Sequence, residues 1–357
     1  MQIPALKIGD LVARLPIVQG GMGVGISMAS LAAAVASCGG IGVISGVETG
    51  FYRSGYSTNK RQESIRGLVE QIHKARELSP DGIIGVNIMV AINAYDDMVK
   101  AAVDAGIDII FSGAGLPTTL PELAHGSNVK LVPIISSAKA ATVICKHWEK
   151  KHNRIPDALV LEGPKAGGHL GFSIEQLEHE EDYALEKLVP QVVEAVKPFE
   201  ERHGRPIPII AAGGIWDGYD IARMLSLGAA GVQMATRFVA THECDASDAF
   251  KQEYIRAKQE DVILIKSPVG MPGRAIRNAY LDRAAAGQST PVRCVYNCLK
   301  PCTPSQAPYC IADALINAQK GNLEHGFAFA GENAWRAERI CSVKEIMDEL
   351  ESDLKKA

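Results

Sequence analysis

Eight short apolar runs recur along the first 240 residues of this 357-residue chain, and they limit the folds open to it more than any other feature. They are LPIVQGG (15–21), GIGVISG (40–46), IIGVNIMV (83–90), IDIIFSGA (107–114), LVPIISS (131–137), ALVLEG (158–163), PIIAAGG (208–214) and GVQMATRF (231–238). Most lack polar alternation, as strands buried on both faces of a parallel sheet should. Between them lie stretches such as SMASLAAAVASCG (27–39), YDDMVKAAVDAG (95–106), LEKLVPQVVEAVKPF (185–199) and GYDIARMLSLGA (218–229). Their apolar residues fall three and four apart, with glycine near several ends, and they read as helices. A strand and a helix repeated eight times predict an α/β fold of the (β/α)8 barrel type. The competing architecture, an open doubly wound sheet, needs fewer strands.

After residue 240 this rhythm stops. The expected organisation is a barrel over 1–243 and a C-terminal extension over 244–357, packed on the barrel. The extension holds helical stretches, a cysteine run and a closing amphipathic helix in SVKEIMDELESDLKKA. One connection, residues 47–80, is oversized: a polar loop containing glycine and tyrosine precedes a helix. A long loop leaving the carboxyl end of a strand is placed to cover an active-site mouth.

Hydrophobic residues make up 47% of the chain, enough for a large core, and the formal net charge of −4 offers no basic excess to attract a phosphate backbone. Nucleic acid is therefore excluded as a partner on electrostatic grounds. The start, MQIPALKIGDLVARLP, has no charged head followed by an apolar stretch. No apolar run approaches the roughly 20 residues that span a bilayer. The expected setting is the cytoplasm, where clustered cysteines bind metal or do redox work more often than they form disulfides.

Barrel enzymes build their sites at the carboxyl ends of the strands. Here those ends are GGMGVG (20–25), AAGGI (211–215) and MATRF (234–238). Glycine-rich or small-residue turns after strands seven and eight let backbone N–H groups approach a phosphate with no Cβ in the way. A phosphate-bearing cofactor fits that pattern, as would a phosphorylated substrate of a lyase or isomerase; glycines that merely permit tight turns are the plainer alternative. His169, in EGPKAGGHLG (162–171), is a candidate proton donor or acceptor, or else a ligand of its own loop. Asn87 lies inside the apolar run GVNIMV, and a buried amide there either bonds backbone or reads the polar edge of a ligand. Arg274 and Arg277, in GMPGRAIRN, are either anion-binding or solvated surface groups.

Four of the eight cysteines fall in RCVYNCLKPCTPSQAPYC: Cys294, Cys298, Cys302 and Cys310. Pro301, Pro304 and Pro308 prevent a continuous helix there. Three closely spaced thiols and an outlier suit a 4Fe–4S cluster. Structural zinc usually takes two separated pairs and stays open as an alternative, as do unligated or redox cysteines. Cys38, Cys145, Cys244 and Cys341 are scattered, as small buried hydrophobes are.

Several of these stretches, taken in chain order, resemble one family. PIVQGGMGVGISMASLAAAVASCGGIGVISG, GVNIMV, EGPKAGGHLG, PIIAAGGIWDG, GVQMATRF and SPVGMPGRAIRN, followed by NLEHGFAFAGENAWRAERICSVKEIMDEL, are similar to the FMN-dependent nitronate monooxygenase (2-nitropropane dioxygenase) family, which includes the flavin-type enoyl-ACP reductases. The resemblance implies that Gly21, Met22 and Gly23 lie against the flavin ring. It implies further that Asn87, Glu162, Lys165 and Gly168 contact the cofactor, that Gly213, Gly214, Ala235 and Thr236 hold its phosphate, and that His169 is catalytic. Ala235 departs from the family's usual glycine but leaves its backbone N–H available. The family does not generally carry the cysteine run. With a cluster in that run, single electrons would pass between it and the flavin. The implied activity is an oxidoreductase acting on a small-molecule or acyl-thioester substrate, with NAD(P)H or a partner such as ferredoxin exchanging electrons. A flavin and iron–sulfur electron-transfer or regulatory subunit with no substrate of its own is the alternative, as is a nitronate monooxygenase with structural zinc.

Overall fold

Each of the eight apolar runs contains one strand of a closed parallel barrel in the computed structural model, which describes residues 2–357 apart from 289–291, 293 and 295. The strands are β1 (Ile17–Gln19), β2 (Ile41–Ser45), β3 (Ile83–Asn87), β4 (Ile109–Ser112), β5 (Lys130–Ile135), β6 (Leu159–Glu162), β7 (Ile209–Ala212) and β8 (Gly231–Met234). Each pairs in parallel with its neighbours in chain order, and β8 closes onto β1 through Val232 and Ile17. The β1–β2 seam has a single residue pair, Val18 with Ile41. There the buried Gln19 side chain continues the ladder: its Nε2 donates to the Val43 carbonyl at 3.2 Å and its Oε1 accepts from the Val43 N–H at 3.1 Å.

Two apolar layers explain why the strands read as continuous runs. Val18, Val43, Ile109, Phe111, Val132, Val160 and Ile210 fill the barrel interior, and Leu6, Ile8 and Ala13 of an N-terminal hairpin join the same cluster. The alternate residues, among them Ile17, Ile44, Ile110 and Leu161, belong to a second cluster shared with the surrounding helices. With both faces apolar, polar alternation has no place, as expected for a sheet covered on both sides.

The outer ring includes α1 (Ala29–Ser37), α2 (Lys60–Leu78), α3 (Tyr95–Asp104), α4 (Ala138–His152), α5 (Leu185–His203) and α6 (Gly218–Ser226). Only the four-residue helix Leu120–Leu123 follows β4. α1 rides close on β2 because residue 42 is glycine: a Cβ there would sit 1.8 Å from the Ala32 carbonyl oxygen.

Beyond β8 the chain makes a long excursion before its last helix. It forms an antiparallel pair, β9 (Val262–Lys266) and β10 (Pro272–Ile276), then α7 (Ile311–Gln319), and finally α8 (Val343–Lys356), which packs against α1 and α6. Ile346, Met347, Leu350 and Leu354 of α8 join the helix-facing core. The oversized 47–80 connection also packs here: Tyr56 clusters with Val24 and with Ile316 of α7. Two segments from distant parts of the sequence thus meet over the barrel mouth. Among the described residues, no helix is long and apolar enough to cross a membrane.

Candidate active site

A cleft opens at the carboxyl end of the barrel, lined by residues in or just after each of the eight strands. After β1 come Gly21, Met22 and Gly23, and β3 contributes Asn87. The loop after β6 supplies Glu162, Lys165, Gly168 and His169; the turns after β7 and β8 supply Gly213, Gly214, Ala235 and Thr236. The structure therefore brings together every residue singled out above as catalytic or cofactor-binding.

Close packing explains several residue types. A Cβ at position 21 would lie 2.5 Å from the Asn87 Cβ, so the β1 turn can pass over Asn87 only as glycine. Asn87 holds its neighbours through its backbone carbonyl, which accepts from Gly46 N–H at 2.8 Å, while among the described residues nothing bonds its side-chain amide. The turn after β7 runs through two left-handed glycines, Gly213 at φ +97° and Gly214 at φ +80°. The Thr236 hydroxyl accepts from the Gly331 N–H at 2.9 Å, and the Asn333 amide donates to the Gly214 carbonyl at 2.8 Å. The excursion after β8 thereby completes the wall beside these two turns.

His169 sits on a two-residue strand, Gly168–His169, paired with Gly273 and Arg274 of β10. Its Nε2 lies 2.7 Å from the Ser267 hydroxyl, and its ring packs on Phe329 with centroids 5.0 Å apart. Burial lowers its pKa to about 4, so the imidazole is neutral at physiological pH. Burial moves Glu162 the other way, up to about 7, because no neighbouring cation stabilises its carboxylate. Lys165, half-exposed, points its ammonium at Glu332 at 3.3 Å and at Glu180 at 3.8 Å.

Arg274 is not an anion site open to solvent. It is 7% exposed, and its Nη2 donates to the Pro164 carbonyl at 2.9 Å, tying down the loop that carries Lys165 and His169. Arg277 is a surface group paired with Asp282.

The cysteine run lies beside the cleft. Cys294, Cys298, Cys302 and Cys310 are all described, though Arg293 and Val295 between and before them lie outside the described residues. Among the described residues, no group of three or more histidine, cysteine or acidic side chains is placed to hold a metal ion. Beside burial, the larger cause, Cys302 and Cys310 are near enough to raise the Cys298 pKa and Cys294 to raise those of Cys302 and Cys310, and part of the segment is bonded to the loop after β3. Ile92 bridges Leu299, Asn93 N–H donates to the Cys298 carbonyl at 2.9 Å, and Lys300 N–H donates to the Ala91 carbonyl at 2.8 Å. Cys298 alone of the four lines the cleft, its thiol pushed up to about 12 by burial. Cys310 opens α7, and Cys294 is exposed.

Two site residues escaped the sequence reading. Gln233, on β8, lines the cleft with its Oε1 buried and unpartnered. The signal was available, since Gln233 is a polar residue within an apolar strand, as Asn87 is. Glu48 follows β2 and also lines the cleft, but it was concealed in a loop already full of polar residues.

The cradle fits a flavin mononucleotide. Exposed backbone in the Gly213–Gly214 and Ala235–Thr236 turns suits a phosphate, while the orphaned Gln233 carbonyl and the Asn87 amide suit the hydrogen-bonding edge of a flavin ring.

Fold and cleft together define the class: a (β/α)8-barrel enzyme with its site at the carboxyl ends of the strands. The chain belongs to the nitronate monooxygenase family, whose model matches residues 6–353. A Mycobacterium tuberculosis relative, (3aS,4S,5R,7aS)-5-hydroxy-7a-methyl-1-oxo-octahydro-1H-indene-4-carboxyl-CoA dehydrogenase, is 29% identical over 273 residues, covering 76% of this chain and 66% of the relative. The match to its Rhodococcus jostii counterpart covers 62% of that protein, so the chain spans less than two thirds of the length of these two relatives. A probable nitronate monooxygenase of Staphylococcus saprophyticus is 25% identical, over 79% of this chain and 81% of its own. Among solved structures, FabK from Thermotoga maritima superposes with a TM-score of 0.73 at 27% identity, covering 96% of this chain and 93% of that one.

Proposed function

We propose that this protein is an FMN-dependent oxidoreductase whose substrate is an acyl thioester with an apolar skeleton. The observation that carries this reading is the two-part character of the cleft. One part is glycine backbone and amides; the other is an apolar wall of Ile92, Leu299, Ile311 and Leu315, built where the cysteine segment and α7 cross the mouth. A wall of that kind offers burial to a hydrocarbon or alicyclic group and little to a small polar nitronate. The carboxyl-CoA dehydrogenase and FabK relatives support the same substrate class.

FMN bound in this cleft would supply hydride or single-electron transfer. The chain's own groups have separate tasks. The Gly213–Gly214 and Ala235–Thr236 turns hold the phosphate, and Gly21, Met22, Gly23, Asn87 and Gln233 position the ring. Lys165 and Gly168 border the same space, and Glu162, its carboxyl pushed up to about 7 by burial, carries less negative charge near neutral pH than an ordinary carboxylate beside an anionic cofactor. His169 is a neutral hydrogen-bonding group and proton acceptor, oriented by Ser267. The apolar wall excludes water from the reacting carbon.

The staphylococcal relatives and the family's own description favour nitronate oxidation as a second reading. A 4Fe–4S cluster or zinc ion on the four cysteines is supported by their spacing and by a nearness at which Cys294, Cys302 and Cys310 add to the burial that raises their neighbours' thiol pKa values, and it takes no part in either reading.

An absorption spectrum and iron and zinc analysis of anaerobically purified protein, followed by anaerobic titration of the flavin with enoyl and saturated acyl thioesters and with alkyl nitronates, separates these readings. Flavin bands bleached or restored by thioesters and unchanged by nitronates is the expected result. A colourless protein that takes up no FMN overturns the oxidoreductase reading; a flavin that responds only to nitronates overturns the substrate class.

A further inference from the structure

The excursion after β8 meets the face of the His169 ring as well as its Nε2. Phe329 bridges Ala275 of β10, two residues along that strand from the Gly273 that pairs with His169. The residues beside Phe329 are bonded to the same strand: Ile276 N–H donates to the Ala328 carbonyl at 2.9 Å, and Ala330 N–H donates to the Arg274 carbonyl at 3.1 Å. From the helix Asp248–Arg256, the buried Tyr254 donates its hydroxyl to the Phe329 carbonyl. The Phe329 backbone is therefore held from two sides.

Its ring lines the cleft, packs on the imidazole with centroids 5.0 Å apart and planes inclined at 58°, and meets Phe327 edge-on at 5.0 Å. Gly273 makes the room for it: a Cβ there would sit 2.9 Å from Phe329 Cε1. Gly273 is not among the left-handed glycines, so the absence of a side chain, rather than the backbone conformation, is what the position supplies. A hydrogen bond to Ser267 fixes one atom of His169 and leaves the imidazole free to swing about it, whereas a ring packed on the imidazole fixes its plane. The charged groups nearby are turned elsewhere. Arg274 faces the Pro164 carbonyl and Glu180, Lys165 faces Glu332 and Glu180, and Glu162 is itself held up by burial. Burial is accordingly what lowers the His169 pKa.

We propose that Phe329 is a positioning residue for the reaction at His169: its ring, seated in the space that Gly273 leaves, sets the plane of the imidazole and shields it from water. Phe329 acts through His169, and Gly273 acts through Phe329. The inference rests on the proposed function for its effect on turnover, while its effect on the His169 titration is independent of any substrate. It also gives the C-terminal excursion a part in the chemistry, since Ser267 and Phe329, which together hold the imidazole, both lie beyond β8.

The test uses flavin-loaded protein labelled with 15N-histidine. The His169 imidazole, identified by its loss in His169→Gln, is followed by NMR against pH, and bleaching of the flavin by octanoyl-CoA is followed by anaerobic stopped flow. Phe329→Ala should move the His169 titration from about 4 toward 6.5 by about one unit or more. It should also lower the limiting bleaching rate by about tenfold and leave the half-saturating concentration within about twofold. Phe329→Leu, which keeps an apolar cover, should recover most of the titration shift. Gly273→Ala keeps Phe329 and displaces its ring, so it should slow the limiting rate by about fivefold in the parent and by less than about twofold in the Phe329→Ala background, where the atom it meets is gone. A Phe329→Ala protein with the parent's titration and limiting rate overturns the proposal, as do Gly273→Ala and Phe329→Ala losses that multiply. A loss confined to half-saturation makes Phe329 a wall of the cleft and overturns it as well. Should Phe329→Ala fail to fold, Gly273→Ala decides alone: the parent's titration and rate in that variant overturn the proposal. A parent flavin that octanoyl-CoA leaves unbleached counts against the substrate class, and the titration then decides on Phe329.

Discussion

The Ser267 hydroxyl lies 2.7 Å from Nε2 of His169, joining the loop after β6 to the turn between β9 and β10. Burial holds the imidazole neutral down to about pH 4, so one ring nitrogen carries a proton and the other is an acceptor, and the contact with Ser267 orients the ring. Activity that depends on neutral His169 should therefore be level through pH 6.5, where an ordinary histidine titrates, and should fall only as pH drops toward 4. A rate profile of the flavin-loaded enzyme checks this; an acid limb centred near 6.5 that vanishes in His169→Ala would contradict it. His169→Ala should retain its flavin and lose about 10²- to 10⁴-fold in turnover. Ser267→Ala, which frees the ring without removing it, should lose less and alter the rate more than the KM.

Glu162 gives a prediction of opposite sign. Its folded-state pKa is raised to about 7 from an ordinary value of 4.5. The folded protein thus favours the proton more than the unfolded chain does, and this contribution is fully present below about pH 4.5 and lost as pH rises through about 7. Ionisation also puts an unpaired negative charge beside the proposed phosphate-bearing cofactor. Flavin retention, measured by dialysis at graded pH, should weaken above pH 7 in the parent and stay level in Glu162→Gln.

The turn after β7 should tolerate no side chain. Gly213 has φ at +97°, and a Cβ there would lie 3.0 Å from the Ala166 nitrogen and 3.1 Å from the Gly163 carbonyl oxygen, both backbone atoms. Strain in the left-handed region and the close backbone together should make Gly213→Ala cost about 1–3 kcal/mol. The substitution should also shift the Lys165–His169 loop, lowering both melting temperature and flavin content. Gly106→Ala is a useful contrast: it is also left-handed, at φ +75°, but open space surrounds it, so stability should fall while flavin affinity per folded molecule stays unchanged.

The barrel was legible in the sequence because its strands are buried on both faces, which turns each into a countable apolar run. The turn after β7 was legible because its left-handed backbone at Gly213 and Gly214 requires glycine. Asn87 stood out as an amide in an apolar strand, yet Gln233 carried the same signal within GVQM and was passed over as part of a family motif. Glu48 could not be singled out, since its partner Tyr56 and its wall, Cys298 and Ile316, become neighbours only when residues 47–59 and 294–319 meet over the mouth. The cysteine spacing says nothing of the backbone bonds between residues 91–93 and 298–300, which seat this segment beside the loop after β3. Arg274 looked like a surface cation for a similar reason: its carbonyl partner, Pro164, is 110 residues away.

The same dependence on distant contacts governs the start of α1. Its N-cap residue, Met28, has no side-chain oxygen to offer the first N–H groups. Asp245 takes that role from beyond β8, with Oδ2 accepting from Met28 N–H at 2.8 Å and from Leu31 N–H at 3.3 Å. Its backbone N–H donates to the Ile26 carbonyl at 3.1 Å, and its carbonyl accepts from the Gln319 amide at 3.0 Å. One residue thus fastens the end of the Gly20–Gly25 turn, α1 and α7 together. Asp245→Ala should cost about 1–2 kcal/mol, the usual loss for a helix cap, seen as a melting temperature lower by a few degrees. Asp245→Asn keeps one oxygen acceptor and should recover part of that loss. Because the tether holds the turn proposed to lie against the flavin ring, the alanine variant should also release flavin faster at a temperature where it remains folded. Stopped-flow dilution into a flavin scavenger measures that rate, and an unchanged rate at lowered stability would confine Asp245 to capping.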